Sequence, residues 1–265
     1  MASQERGLKI AFTSHHAQTS DIFVMEVGKP DYTNLTRNDA LNYFPDWSPD
    51  GNHIVFQFQQ PDAALHSSDG NGHNQIYVMD ADGTNQINLT NDPAGDYYSP
   101  VWSPDGSRIA FVTNQESRYF VSVMDADGKH RVTLTEGIAP AWSPDGNYIA
   151  YMKQSGIFLL NIADSVETQL ATSAGYPTWS PDGSQIAFVS DPDGSPDVYT
   201  MREDGTDMIR VTNTLESELS LKWSPDGNYM LFGVMLPDAN VIYMMNADGS
   251  ERVKVAEGFA PAWVR

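Results

Sequence analysis

The chain has 265 residues, with 15 Lys and Arg against 35 Asp and Glu, so its formal net charge is −20. This length allows a sizeable core, and because all-β folds of this size often form one unit, we expect a single domain over residues 1–265. So acidic a chain repels nucleic acid and anionic lipid, which excludes both as partners, and the absence of cysteine excludes disulfides and thiolate metal sites.

The N-terminal stretch, MASQERGLKIAFTS, has no basic segment followed by an apolar run. No other stretch approaches the roughly 20 apolar residues that are needed to span a membrane. We therefore expect no membrane insertion, and no export signal within the printed chain.

A tryptophan-based repeat runs through almost the whole sequence. Its tryptophans are separated by 55, 40, 37, 44 and 40 residues, and the first five open the motif WSPDG: Trp47, Trp102, Trp142, Trp179, Trp223 and Trp263. A nearly verbatim repeat encodes a building block rather than a catalytic centre, and a period near 40 residues is typical of a propeller blade.

Each period contains the same elements in the same order. In the period around Trp102, four short strands are predicted by SPVW, which ends at Trp102, and by SRIAFVT, RYFVSVMD and HRVTLT, which follow it. No stretch shows a helical period. Pro104, Asp105 and Gly106 supply the fixed φ, the amide acceptor and the positive φ of a tight turn after the first strand. A second turn of the MDADG type joins the third strand to the fourth. We expect Trp102 to fill the wedge between neighbouring sheets.

The two ends of the chain complete one another. The chain opens with LKIAFTS, a second-strand run, and closes with FAPAWVR, a first-strand run. The sequence therefore predicts an all-β, six-bladed β-propeller of four-stranded antiparallel blades. Its ring is closed by a C-terminal strand at Ala260–Val264 that joins the N-terminal blade beside Leu8–Ser14, which buries both sheet edges.

The motif WSPDG, followed by an IAF-like strand and an IYVMDADGT-like strand and turn, resembles the PD40-type propeller repeat of the TolB-like family. The resemblance covers nearly the whole chain and implies a periplasmic setting and a protein partner like the peptidoglycan-associated lipoprotein, whose peptide enters the channel. Similar repeats occur in the propellers of prolyl-oligopeptidase-like peptidases and oligogalacturonate-lyase-like enzymes. This chain has no G-x-S-x-G elbow and no P-loop, and no catalytic residue is assigned.

The loops that differ between blades share one rim of the predicted propeller, and variable loops on a rigid scaffold commonly bind ligands. Four histidines fall on that rim in adjacent blades: His15, His16, His66 and His73. Gathered imidazoles can hold a divalent metal or accept protons. The alternative is that these histidines face water, because no compact spacing such as HExxH is present.

The segments that enter the inner strands carry aromatic and acidic residues. At the mouth of the central channel we expect Tyr43, Tyr97, Tyr98, Tyr176, Glu218 and Phe259. Aromatic faces with a few acids suit a sugar ring, a cation or an inserted peptide end. The alternative is that these rings only plug the channel.

These observations favour a non-catalytic, TolB-like propeller that binds a protein or peptide segment, a small ligand or a glycan at the variable rim and channel mouth. No cofactor is expected in that case. The alternative from another class is a metal-dependent lyase or hydrolase that acts on a saccharide and uses the rim histidines. A third hypothesis is a structural module within a larger assembly.

Overall fold

The computed structural model describes residues 7–16, 19–60, 73–192, 196–214 and 216–264. Within these ranges every regular element is a β-strand, as the runs of β-branched and aromatic residues predict. No helix of the described residues is long and apolar enough to cross a membrane.

The first strands of the chain belong to one large sheet. They are β1 (Lys9–His16), β2 (Thr19–Glu26), β3 (Tyr32–Asn34), β4 (Leu41–Trp47), β5 (His53–Gln59), β6 (Asn74–Asp80) and β7 (Ile87–Asn88). Strands β1 to β3 form one antiparallel meander and β4 to β7 form a second. A single parallel bridge, Ser20 to Leu41, joins the two meanders.

The following strands form separate antiparallel blades of four strands each. The first blade contains β8 (Asp96–Trp102), β9 (Arg108–Gln115), β10 (Arg118–Asp125) and β11 (Val132–Glu136). The second contains β12 (Ile138–Trp142), β13 (Tyr148–Lys153), β14 (Gly156–Asn161) and β15 (Glu167–Thr172). The third contains β16 (Ala174–Trp179), β17 (Gln185–Ser190), β18 (Asp197–Arg202) and β19 (Ile209–Arg210). The fourth contains β20 (Glu218–Trp223), β21 (Tyr229–Met235), β22 (Asn240–Asn246) and β23 (Val253–Glu257).

The last strand, β24 (Phe259–Trp263), returns to the start of the chain. It pairs antiparallel with β1, with Ile10 opposite Trp263 and Ala11 opposite Ala262. The predicted pairing of the two ends is confirmed. This strand completes the large sheet, whose order is β24-β1-β2-β4-β5-β6-β7 with β3 on β2.

The predicted count of six four-stranded blades is wrong. The described residues form four separate four-stranded blades and one eight-stranded sheet. The cause lies between β2 and β4, where the backbone of Ser20 bridges to Leu41 and the Asn42 side-chain amide donates to the Ser20 carbonyl at 3.0 Å. These contacts join two meanders that the repeat counts as separate.

The WSPDG turns are built identically around a buried serine. In every copy the serine hydroxyl donates to the aspartate two residues later at 2.5–2.6 Å. The same hydroxyl accepts the backbone N–H five residues later at 2.9 Å. The hydrogen bond from the serine is the largest of the effects that lower the pKa of Asp50 and Asp105 to about 2. We call the rim that carries these turns the turn rim.

The core lies between neighbouring four-stranded units, and each packing cluster there includes one repeat tryptophan. Trp47 packs with Ala11 and Ile22 of the preceding meander, and Trp142 packs with Ala110 and Val121 of the preceding blade. The tryptophans thus fill the wedges between sheets, as predicted. The scaffold is thereby stabilised by contacts between consecutive units.

Candidate binding channel

A bulge interrupts the innermost strand pairing of each repeat unit, by which we mean the four separate blades and the two meanders of the large sheet, the first taken together with β24. The register shifts between the first two strands of each unit, and the residue three positions before each tryptophan has a φ between 49° and 55°: Phe44, Ser99, Ala139, Tyr176, Ser220 and Ala260. Non-glycine residues seldom adopt this left-handed conformation, and bulges commonly re-aim side chains next to functional sites. The bulges therefore form a ring around the channel.

This ring surrounds a cavity of about 400 Å3, which we call the upper chamber. The bulged residue and its successor line the chamber in every unit: Phe44, Pro45, Ser99, Pro100, Ala139, Pro140, Tyr176, Pro177, Ser220, Leu221, Ala260 and Pro261. The chamber lies away from the turn rim, because each lining pair precedes its tryptophan and each turn follows it. Its volume is typical of a small-molecule or peptide pocket.

Three tyrosines give the upper chamber its aromatic character. Tyr98 and Tyr119 meet edge to face with ring centroids 5.9 Å apart, and Tyr176 is 43% exposed. Burial, followed by the negative charge of Asp96, raises the pKa of Tyr98 to about 12.

A second aromatic group, the rim cluster, consists of His15, Tyr43, Phe44 and Phe259. The His15 ring lies 4.9 Å from Phe259 and 6.2 Å from Tyr43, and the Tyr43 and Phe259 rings lie 6.0 Å apart. His15 Nδ1 is also 2.6 Å from the Ser20 hydroxyl. Because Phe44 also lines the upper chamber, the rim cluster adjoins that chamber.

Tyr97 and Glu218, also expected at the channel mouth, pack inside the sheets instead. Tyr97 is 8% exposed and its hydroxyl donates to Asp92 Oδ2 at 2.8 Å. Glu218 is fully buried and accepts hydrogen bonds from the Thr212 hydroxyl and the Val198 amide. Burial raises the pKa of Glu218. Both side chains contact protein rather than the chamber.

A lower chamber of about 330 Å3 occupies the turn-rim side of the channel. Tryptophan, serine and proline residues of the repeats line it, together with Asp46 and Lys222. Val101 and Lys222 line both chambers, so they mark the boundary between them. Lys222 Nζ lies 3.9 Å from Asp46 Oδ1 at this boundary.

The histidines proposed as metal ligands are only partly described. His15 is exposed at the end of β1, and His73 is half-buried just before β6. His66 and the side chain of His16 lie outside the described residues. Within the described ranges, no group of three or more His, Asp or Glu side chains is arranged to hold a metal ion. The metal site stays a prediction.

Sequence reasoning missed Phe44, Ser99, Tyr119, Ser220 and Lys222. A usable signal exists, because the bulged residue stands three positions before each tryptophan and precedes proline in all but one unit. Strict strand alternation misassigns side chains here, since a bulge adds one residue to the strand.

Comparisons with known proteins agree with this architecture. A family model described as "TolB beta propeller domain" matches residues 4–138 and 106–260. The crystal structure of TolB from Acinetobacter baumannii superposes with a TM-score of 0.80 over 98% of this chain and 67% of that one, at 18% identity. The putative TolB from Agrobacterium tumefaciens gives 0.76 over 96% and 90%, at 20% identity. At these identities the solved structures show the fold alone.

Among curated sequences, the Tol-Pal system protein TolB of Wolbachia sp. subsp. Drosophila simulans is 38% identical over 64 residues. That match covers 24% of this chain and 15% of the Wolbachia protein. The chain spans less than half the length of the first curated relatives that it matches.

Proposed function

The chain belongs to the TolB β-propeller domain family, and on that premise we propose that it is a non-catalytic binding protein that accepts a polypeptide segment in the upper chamber. The observation that carries this proposal is the ring of bulges. It places an apolar, aromatic cavity of about 400 Å3 at the rim opposite the repeated turns.

The lining of the chamber supports binding rather than chemistry. Its proline and aromatic side chains bury apolar surface, and their restricted conformations lose little entropy when a ligand binds. Among the described lining residues there is no acid pair and no serine beside a histidine, as acid–base or nucleophilic catalysis requires. Such a surface favours an extended segment with apolar side chains.

The partner we propose is a protein, encountered in the periplasm. The Wolbachia relatives are called Tol-Pal system proteins, and this supports a protein partner for the present chain. Glycans and small ligands are the alternative occupants of the chamber.

The test blocks the chamber with a bulky side chain. Peptides from a displayed random library are selected on the wild-type protein, and the best binder is then titrated against A139W and A163W by fluorescence anisotropy. Ala139 lines the chamber, whereas Ala163 is exposed on the turn after β14. We expect A139W to weaken binding at least tenfold and A163W to leave it unchanged. Equal affinity for wild type and A139W contradicts the proposal.

A further inference from the structure

The channel carries one positive charge, which makes no hydrogen bond with the described residues. The residue before the tryptophan varies between units: Asp46, Val101, Ala141, Thr178, Lys222 and Ala262. Of the described residues that line the upper chamber, Lys222 alone is charged. In a chain with a net charge of −20, this placement calls for an explanation.

Lys222 is poorly satisfied by its surroundings. Its side chain is 33% exposed, and its nearest anion, Asp46 Oδ1, lies 3.9 Å away, beyond hydrogen-bond distance. The other carboxylate oxygen of Asp46 accepts the backbone N–H of Trp102 at 2.8 Å. Among the described residues no atom accepts a hydrogen bond from the Lys222 ammonium, which therefore has three N–H donors to offer.

The free-energy cost of an ammonium without hydrogen bonds indicates which chemical group would bind Lys222. A partly desolvated ammonium is unfavourable unless it is paired and hydrogen-bonded. A carboxylate satisfies both needs, and charge-assisted hydrogen bonds are about twice as strong as neutral ones. Lys222 lies at the inner boundary of the chamber, so the leading end of an entering segment reaches it first.

We propose that Lys222 receives the C-terminal carboxylate of the segment that enters the upper chamber. This inference rests on the proposed function and adds the polarity of the bound chain: the C-terminus enters first, and apolar side chains follow against the prolines and tyrosines. The acidic protein repels an approaching anion, but salt screens that repulsion over about 8 Å at physiological ionic strength, whereas the half-buried contact is screened much less.

The experiment uses random tetrapeptides, synthesised once with a free C-terminal carboxylate and once with a C-terminal amide. Both libraries are equilibrated with wild type, K222M, K254M and A139W, and retained peptides are quantified by mass spectrometry. Lys254 is the matched control, because its side chain is 52% exposed on the outer strand β23 and its loss changes the net charge equally.

We expect wild type and K254M to retain free-acid peptides at least tenfold more strongly than amides, and K222M to lose this preference. Equal retention of acids and amides by wild type overturns the inference while leaving the proposed function intact. If wild type retains amidated peptides that contain Asp or Glu, and K222M loses them, Lys222 binds a side-chain carboxylate and the C-terminal assignment is overturned. Peptide retention that is unchanged in A139W, or absent from wild type, overturns the proposed function as well.

A second variant guards against a folding defect in K222M. The substitution D46N retains an oxygen for the Trp102 amide but removes the charge that competes for Lys222. D46N is therefore expected to bind free-acid peptides more tightly than wild type does. Weaker binding by D46N, in a protein with unchanged circular dichroism, contradicts the role assigned to Lys222.

Discussion

The two families of glycine turns look alike in sequence, but the structure predicts different tolerance to a methyl group. Gly106 of a WSPDG turn and Gly128 of an MDADG turn have φ angles of 71° and 84°. A Cβ at Gly106 meets only the Pro49 side chain, with Cδ at 3.6 Å and Cγ at 3.9 Å, whereas a Cβ at Gly128 falls 2.4 Å from the Leu89 carbonyl oxygen. The first contact is ordinary, and the second requires the backbone to shift.

These geometries set the expected magnitudes. The left-handed backbone costs an L-residue about 1–2 kcal/mol, and this is the whole expected effect of G106A. G128A adds overpacking against backbone, about 1–3 kcal/mol, for a total of about 2–5 kcal/mol. Since 1 kcal/mol corresponds to about 2–4 °C in a domain of this size, G106A should lower Tm by about 2–8 °C and G128A by about 4–20 °C.

The assay is thermal unfolding of wild type, G106A and G128A side by side, followed by circular dichroism at one scan rate and pH. The difference between the two variants isolates the contact with Leu89, because the backbone conformation is nearly the same. If G128A is no less stable than G106A, the inferred close contact between the MDADG turn and Leu89 of the neighbouring unit is wrong.

Three further predictions concern the repeated turns and the rim. S103A removes the hydroxyl of a residue that is 1% exposed, which joins Asp105 to the Arg108 amide, so it should lower the free energy of unfolding in urea by about 2–3 kcal/mol. S107A, at an exposed site, should lower it by less than about 1 kcal/mol. Equal losses in the two variants contradict this prediction. The pKa of Asp50 and of Asp105 falls from 3.8 to about 2 on folding. The two carboxylates therefore stabilise the folded protein fully above about pH 4, and this stabilisation is lost as the pH falls to 2. A urea midpoint that stays constant between pH 4 and pH 2 contradicts this prediction. If the rim histidines hold a metal, elemental analysis after dialysis should find a stoichiometric divalent ion that disappears in H15A and H66A; metal-free wild-type protein refutes the metal-dependent alternative.

Much of the architecture follows from local sequence. The WSPDG spacing predicts the strands and the turn chemistry, because these depend on residues within one period, and it predicts the inter-sheet position of Trp47 and its equivalents because one large ring recurs in each period. The merger of the first two meanders does not follow, since the bridge between Ser20 and Leu41 depends on how two units meet. Counting repeats in the sequence does not reveal such a contact.

The candidate site was only partly predictable. Tyr98 and Tyr176 line the chamber, whereas Tyr97, the neighbour of Tyr98 on the same strand, points to the opposite face and packs between the sheets. The pairing of Lys222 with Asp46 joins residues far apart in the chain, and only closure of the ring brings them together. Single-sequence patterns contain no signal for that contact.

Photo-crosslinking tests whether a polypeptide segment occupies the upper chamber. A photoreactive phenylalanine derivative replaces Tyr176, which lines the chamber, or Val166, which is 56% exposed before β15. Each protein is irradiated with a peptide selected on wild type, and the products are mapped by mass spectrometry. We expect a crosslink from position 176 and none from position 166. A bound peptide that crosslinks from position 166 and not from position 176 contradicts it.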